Sequence, residues 1–177
     1  MPHEENLIKR LRDQSTRDRA FRELVELYQE RMYWHIRRFV FEHEDANDIM
    51  QNTFIKAYRG LDGFKGGAKI YTWLYRIASN ESITFVKKAK RMVSGSLEPA
   101  EKLEADPFFD GDAAQLALQK ALTQLPEKQR LVFNMKYYDD LTYQEISEIL
   151  ETSVGALKAS FHHAVKKIEL YIKNVQV

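Results

Sequence analysis

Eight polar residues recur at three- and four-residue steps near the middle of the chain: Lys69, Thr72, Arg76, Asn80, Thr84, Lys87, Lys88 and Arg91. On a helix that spacing forms one stripe, opposite an apolar face of Ile70, Trp73, Leu74, Ile77 and Phe85. A row of cations neutralises phosphates, and a side-chain amide such as Asn80 can hydrogen-bond a base edge. An ordinary solvated helix face has the same pattern. The preceding loop, Asp62-Gly63-Phe64-Lys65-Gly66-Gly67, favours nucleic acid: it holds three of the seven glycines and a lysine, and glycine permits close backbone approach.

A second constellation runs from Leu141 to Lys167. Thr142 and Glu145 have the spacing of a capping box at a helix start. Tyr143, Ile146, Ile149 and Leu150 give that helix one apolar face, and Glu151-Thr152 reads as a turn. Ser153 is placed to cap a second helix, in which Val154, Leu157, Phe161, Val165, Ile168 and Ile172 recur at helical steps. Two helices so closely joined, the second carrying a basic run, read as a helix-turn-helix for the DNA major groove; an αα-hairpin of a helical bundle is the alternative. A third stripe, Asp48, Gln51, Asn52, Ile55 and Arg59, puts an isoleucine among polar residues. That is a plausible partner surface, although single exposed isoleucines are common.

Catalytic and metal readings are poor. His43, Asp45 and Asp48 lie beside a helix start, where acids are favoured by the dipole alone. His162 and His163 are adjacent, so they diverge around a helix, unlike ligands at i and i+4. The FKGGAK stretch lacks P-loop spacing. No catalytic residue, metal or cofactor is expected.

The elements that must position these residues are helices. Up to residue 92 apolar residues recur at helical steps only, predicting helices over about 6–11, 16–40, 46–61 and 69–91, with His43–Asp45 a turn and Trp34 and Trp73 in the core. Residues 94–112 lose the periodicity and form a linker, although Leu97, Leu103, Phe108 and Phe109 are apolar enough to dock. Beyond it, Leu118, Ala121, Leu122 and Leu125 line a helix stopped by Pro126, which suits the first turn of the next, where Leu131, Val132, Met135 and Tyr138 follow. The fold class is all-α: two small helical domains, 1–93 and 113–177, joined by the linker.

Charge sharpens this division. Residues 1–93 hold 18 Lys and Arg against 13 Asp and Glu; residues 94–112 hold one against six; residues 113–177 hold eight against seven. The net charge of +1 thus hides a basic first module and an acidic middle, as if different segments meet different partners. With no cysteine, disulfides and thiolate sites are excluded,. The start of the chain lacks the apolar run of a signal peptide and no stretch approaches ~18 apolar residues, so a cytoplasmic protein without membrane insertion is expected.

Taken together, DANDIMQNTFIKAYRGLDGF (45–64), YTWLYRIASN (71–80) and LTYQEISEILETSVGALKASFHHA (141–164) resemble the bacterial extracytoplasmic-function sigma factors, alternative sigma factors that direct RNA polymerase to promoters. The resemblance extends over essentially the whole chain, including the acidic linker. It implies no enzymatic site. It implies that Asp48, Gln51, Asn52 and Ile55 meet the clamp helices of the polymerase's largest subunit, and that the flap is a second contact on core RNA polymerase. Phe64, Lys65, Lys69, Arg76, Asn80, Lys87 and Lys88 would handle the minus-10 element of promoter DNA, capturing an unstacked base. Ser153, Lys158, Ala159, Ser160, His162 and His163 would read the minus-35 element. The family usually has an acid where Asn52 stands and arginines where Ser160 and His163 stand. An anti-sigma factor is a further expected partner. The rivals are a free-standing helix-turn-helix regulator with an N-terminal partner domain, and a helical nuclease.

Overall fold

The computed structural model describes residues 2–64, 69–92 and 113–175. Among them are eight α-helices and no strand. The first four are α1 (Pro2–Arg12), α2 (Arg17–Val40), α3 (His43–Gly60) and α4 (Ile70–Met92), with a 3-10 turn, Leu61–Gly63, after α3. The second group is α5 (Ala113–Thr123), α6 (Glu127–Tyr137), α7 (Tyr143–Leu150) and α8 (Val154–Val175). The expected linker, with Leu97, Leu103, Phe108 and Phe109, lies outside the described residues.

The apolar periodicity of α2 becomes its buried stripe: Leu24, Met32, Ile36 and Phe39 are covered, with Phe21, Val25 and Tyr28 packed at the margin. Helix α2 stops at Phe41, whose backbone is left-handed (φ 69°) and whose N–H donates to the Arg37 carbonyl at 2.9 Å. A phenylalanine there is strained, and its buried ring offsets the cost. Ala46, Ile49, Phe54 and Ala57 of α3 and Ile70, Leu74 and Ala78 of α4 complete a helical core that α1 closes with Leu7 and Leu11. Gly60 lets α3 and α4 approach closely, because a Cβ there would stand 3.3 Å from the Trp73 ring.

The same apolar cluster continues into the second group through Leu131, Val132, Met135, Leu141, Ile146, Ile149 and Leu157. A separate small core of Ala121, Leu122, Leu125, Phe133, Ala164 and Ile168 ties α5 and α6 to α8. The two modules are therefore pressed together, with α6 and α7 lying on α2 and α4.

Several local expectations shift. Helix α1 begins at Pro2 rather than near Asn6, and α3 at His43, so the acids Glu44 and Asp45 occupy its first turn. Pro126 is the N-cap of α6 rather than a first-turn residue. Trp34 is not core: it is 43% exposed, half over Tyr33 and half under the Arg38 guanidinium. Thr72 drops out of the polar stripe, being 1% exposed, because α4 is covered on two sides rather than one.

Candidate nucleic-acid interface

The helix-turn-helix is built locally, as its spacing predicts. The Thr142 hydroxyl accepts from the Glu145 amide (3.2 Å) while the Glu145 carboxylate accepts from the Thr142 amide (2.9 Å). Glu151 ends α7 with φ 51°, and the Ser153 hydroxyl accepts the Ala156 amide at 3.3 Å to start α8. Ile146, Ile149, Leu157 and Ile168 hold the two helices inward. Ser153, Lys158, Ala159, His162 and His163 stand outward, with Ser160 half-buried among them. The two histidine rings are 6.1 Å apart and tilted by 54°. Among the described residues no three His, Asp or Glu side chains have metal-holding geometry.

On α3, Asp48, Gln51, Asn52 and Ile55 are all exposed, Ile55 at 47%, while the other side of the helix is packed. Helix packing thus forces the stripe outward. Ile55→Arg is expected to leave the melting temperature unchanged and to weaken partner binding about 30-fold or more, as at an interface hot spot; titration of labelled chain with core RNA polymerase measures it.

Of the residues assigned to the downstream element, Asn80, Lys87 and Lys88 are exposed on α4. Lys65 lies outside the described residues. Phe64 departs from expectation: it is 8% exposed, its ring centroid 4.9 Å from that of Trp73, and its carbonyl accepts from Arg12 at 3.2 Å. It anchors the loop instead of projecting from it, because an aromatic ring beside α4 buries more apolar surface than one in water.

Lys69 and Arg76 are engaged by the second module. Lys69 Nζ lies 3.0 Å from Glu145 Oε1, and Tyr71 donates its hydroxyl to the same oxygen. Arg76 Nη1 is 3.3 Å from Glu151 Oε1, and its Nη2 donates to the Glu148 carbonyl. Partial burial pushes the Glu145 carboxyl up, but hydrogen bonds from Tyr71, the Thr142 amide and Lys69 outweigh it and bring the pKa down to about 2. The Lys69 ammonium is raised in turn, first by its hydrogen bond to Glu145 and then by that to Tyr71.

A depressed carboxyl stabilises the fold above its unfolded pKa, here the ordinary 4.5, and that contribution fades as pH falls towards about 2,. The melting-temperature gap between wild type and Glu145→Gln should therefore be full at neutral pH, shrink below the ordinary value and close near the depressed one. Calorimetry across that range measures it.

The deepest polar contacts between the modules went unnoticed in the sequence. His35, buried in α2, hydrogen-bonds through Nδ1 to Asp139 Oδ2 (2.8 Å) and through Nε2 to Ser79 Oγ (3.1 Å). Arg38 Nη1 is 3.4 Å from Asp139 Oδ1, and Arg31 donates to the Asp139 carbonyl at 2.9 Å. Arg130 sits 4.7 Å and 4.9 Å over the rings of Phe39 and Phe41, its pKa lowered by burial to about 10. Nothing local marks Asp139 in sequence, where an acid in a turn needs no partner.

Fold and exposed surfaces together are those of a helix-turn-helix protein with a second, basic helix face. Comparison with known proteins narrows this. Residues 24–92 match the family Sigma-70 region 2 and residues 115–168 match Sigma-70, region 4. The RNA polymerase sigma-H factor of Pseudomonas aeruginosa is 32% identical over 167 residues, covering 85% of each chain. The ECF RNA polymerase sigma factor SigW of Bacillus subtilis is 32% identical over 169 residues, 88% of this chain and 90% of that one. In structure, CnrH in complex with the cytosolic domain of CnrY superposes with a TM-score of 0.73 at 22% identity, over 97% of each chain. The sigma factor RpoE bound to the anti-sigma factor NepR from Bartonella quintana gives 0.70 at 20% identity, over 86% of this chain and 96% of that one. The chain belongs to the ECF sigma factors of the sigma-70 family. No helix among its described residues is long and apolar enough to cross a membrane.

Proposed function

We propose that this sigma factor binds core RNA polymerase through Asp48, Gln51, Asn52 and Ile55 on α3 and carries it to promoters through two separate DNA surfaces. The first module holds the melted minus-10 strand with Lys65, Lys69, Arg76, Asn80, Lys87 and Lys88. The second lays α8 in the upstream major groove, where Ser153, Lys158, Ala159, Ser160, His162 and His163 meet the minus-35 element. The domain division is 1–93, 94–112 and 113–177, the acidic middle passing along the polymerase. The protein is a cytoplasmic initiation factor with no catalysis of its own, and an anti-sigma factor is its natural antagonist, as for the Bartonella relative in its complex with NepR.

The observation that carries this reading is a single chain with an outward recognition helix, an outward polar stripe on α4 and an outward Ile55 on α3, across both sigma-70 regions. Unstacking a base costs a few kcal/mol, which pocket contacts and single-strand binding offset. Asn80 is the amide on that face. Asn80→Ala should slow open-complex formation about 10- to 100-fold, the value of a good base contact, and leave upstream duplex binding within about twofold. In vitro transcription with core polymerase on genomic fragments, read with permanganate footprinting, tests both. Equal loss of melting and upstream binding would remove Asn80 from its role. Absence of any specific start with core enzyme present would overturn the reading.

A further inference from the structure

Lys69 and Arg76 belong to the surface assigned above to the downstream element, yet both already have anionic or carbonyl oxygens on them. These come from one short stretch of the second module: the carboxylates of Glu145 and Glu151 and the backbone oxygen of Glu148. Two carboxylates and a carbonyl set on two cations offer what a nucleic-acid backbone offers. Solvent still reaches Lys69 and Arg76, so each ion pair alone shifts an equilibrium only about two- to fivefold.

The hold is stronger beneath them. Asp139 is buried against His35 and Arg38, the Asn134 side chain donates to the Arg38 carbonyl at 3.2 Å, and Ile146 and Ile149 share an apolar core with Ile36 and Leu74. The recognition face with Lys158, His162 and His163 stays open to solvent. Closure thus covers one DNA surface and leaves the other free. It is also incompatible with reading both elements, which lie ~35–70 Å apart when separated by one to two duplex turns, because modules in contact cannot span that distance.

We propose that the second module is an internal inhibitor of the first: α7, with its C-cap Glu151, occupies the cationic face of α4 in place of DNA until core polymerase draws the modules apart. The inference rests on the promoter reading above. A chain whose DNA-competent state is rare binds DNA more weakly by the fraction competent, so the free protein is kept off single strands without any second protein.

The chain has no cysteine, so Arg19→Cys and Lys173→Cys, both at exposed positions, accept a dye pair that reports module separation. The probe is a fluorescent mixed-sequence single-stranded DNA oligonucleotide at physiological salt. Glu145→Gln keeps the capping box, and Glu151→Asn suits the left-handed backbone; together with Asp139→Asn they loosen the contact. Expected are lower energy transfer and about tenfold tighter oligonucleotide binding without polymerase, and the same fall in transfer when wild type meets core enzyme. A control variant, Glu5→Gln/Glu26→Gln/Glu169→Gln, makes the same charge change at exposed acids elsewhere and should gain less than threefold.

The Glu145/Glu151 pair without Asp139→Asn serves where the triple variant loses helicity, with about threefold expected. Unchanged transfer, or equal gains by control and variant, overturns the inference. Transcription with core polymerase is scored separately: variants that still start at wild-type sites leave the promoter reading intact whichever way closure is decided.

Discussion

Tyr75→Ala is expected to lower unfolding stability by about 3–5 kcal/mol, the cost of removing a fully buried ring. Tyr75 is the largest of the completely covered side chains. Its ring lies edge-on to His35 at 4.7 Å, and its hydroxyl accepts from Arg31 Nε at 2.9 Å. Burial pushes the phenol pKa up, with the nearby Asp139 carboxylate adding to it, so the hydroxyl stays protonated throughout the neutral range. Tyr75→Phe keeps the ring and removes only that hydrogen bond, so it should cost about 1–2 kcal/mol. Urea titrations at constant m-value measure both. The contrast decides whether α4 is held by ring packing or by the Arg31 contact.

Asp139→Ala should be nearly as severe. It leaves His35 and Arg38 facing a site built for a carboxylate, with His35 only 1% exposed. Removing one member of a buried charged pair costs about 3–5 kcal/mol, because the other is left unmatched. Replacing both, as His35→Leu with Asp139→Leu, removes the unmatched group as well and should recover most of that loss. A double-mutant cycle read by thermal unfolding gives the coupling, with about 2 kcal/mol or more expected for groups in direct contact. Both sides of this pair come from different modules, so the loss falls on their union first.

Much of the candidate interface was legible because it is made by local rules. A capping box needs four residues, and Thr142 and Glu145 form it as spelled. The helical period alone separates the outward Asp48, Gln51, Asn52 and Ile55 from the inward Ala46, Ile49 and Thr53. The same period finds Asn80, Lys87 and Lys88. It fails at Thr72 and Tyr75, since a stripe drawn for one buried face cannot anticipate a helix packed on two. It fails at Trp34 and Phe64 for a related reason: aromatic residues are welcome inside or half outside, and their neighbours decide which.

What the sequence by itself determined about this protein is its list of helices, the helix-turn-helix and the polar faces, since periodicity and capping act across a few residues. What only the tertiary structure decided is where those faces point relative to each other. His35 meets Asp139 across 104 positions, Lys69 meets Glu145 across 76 and Arg76 meets the Glu148 carbonyl across 72. No local signal pairs such residues: each is an unremarkable polar side chain until burial of a shared apolar core brings the modules together and makes a charge without a partner costly.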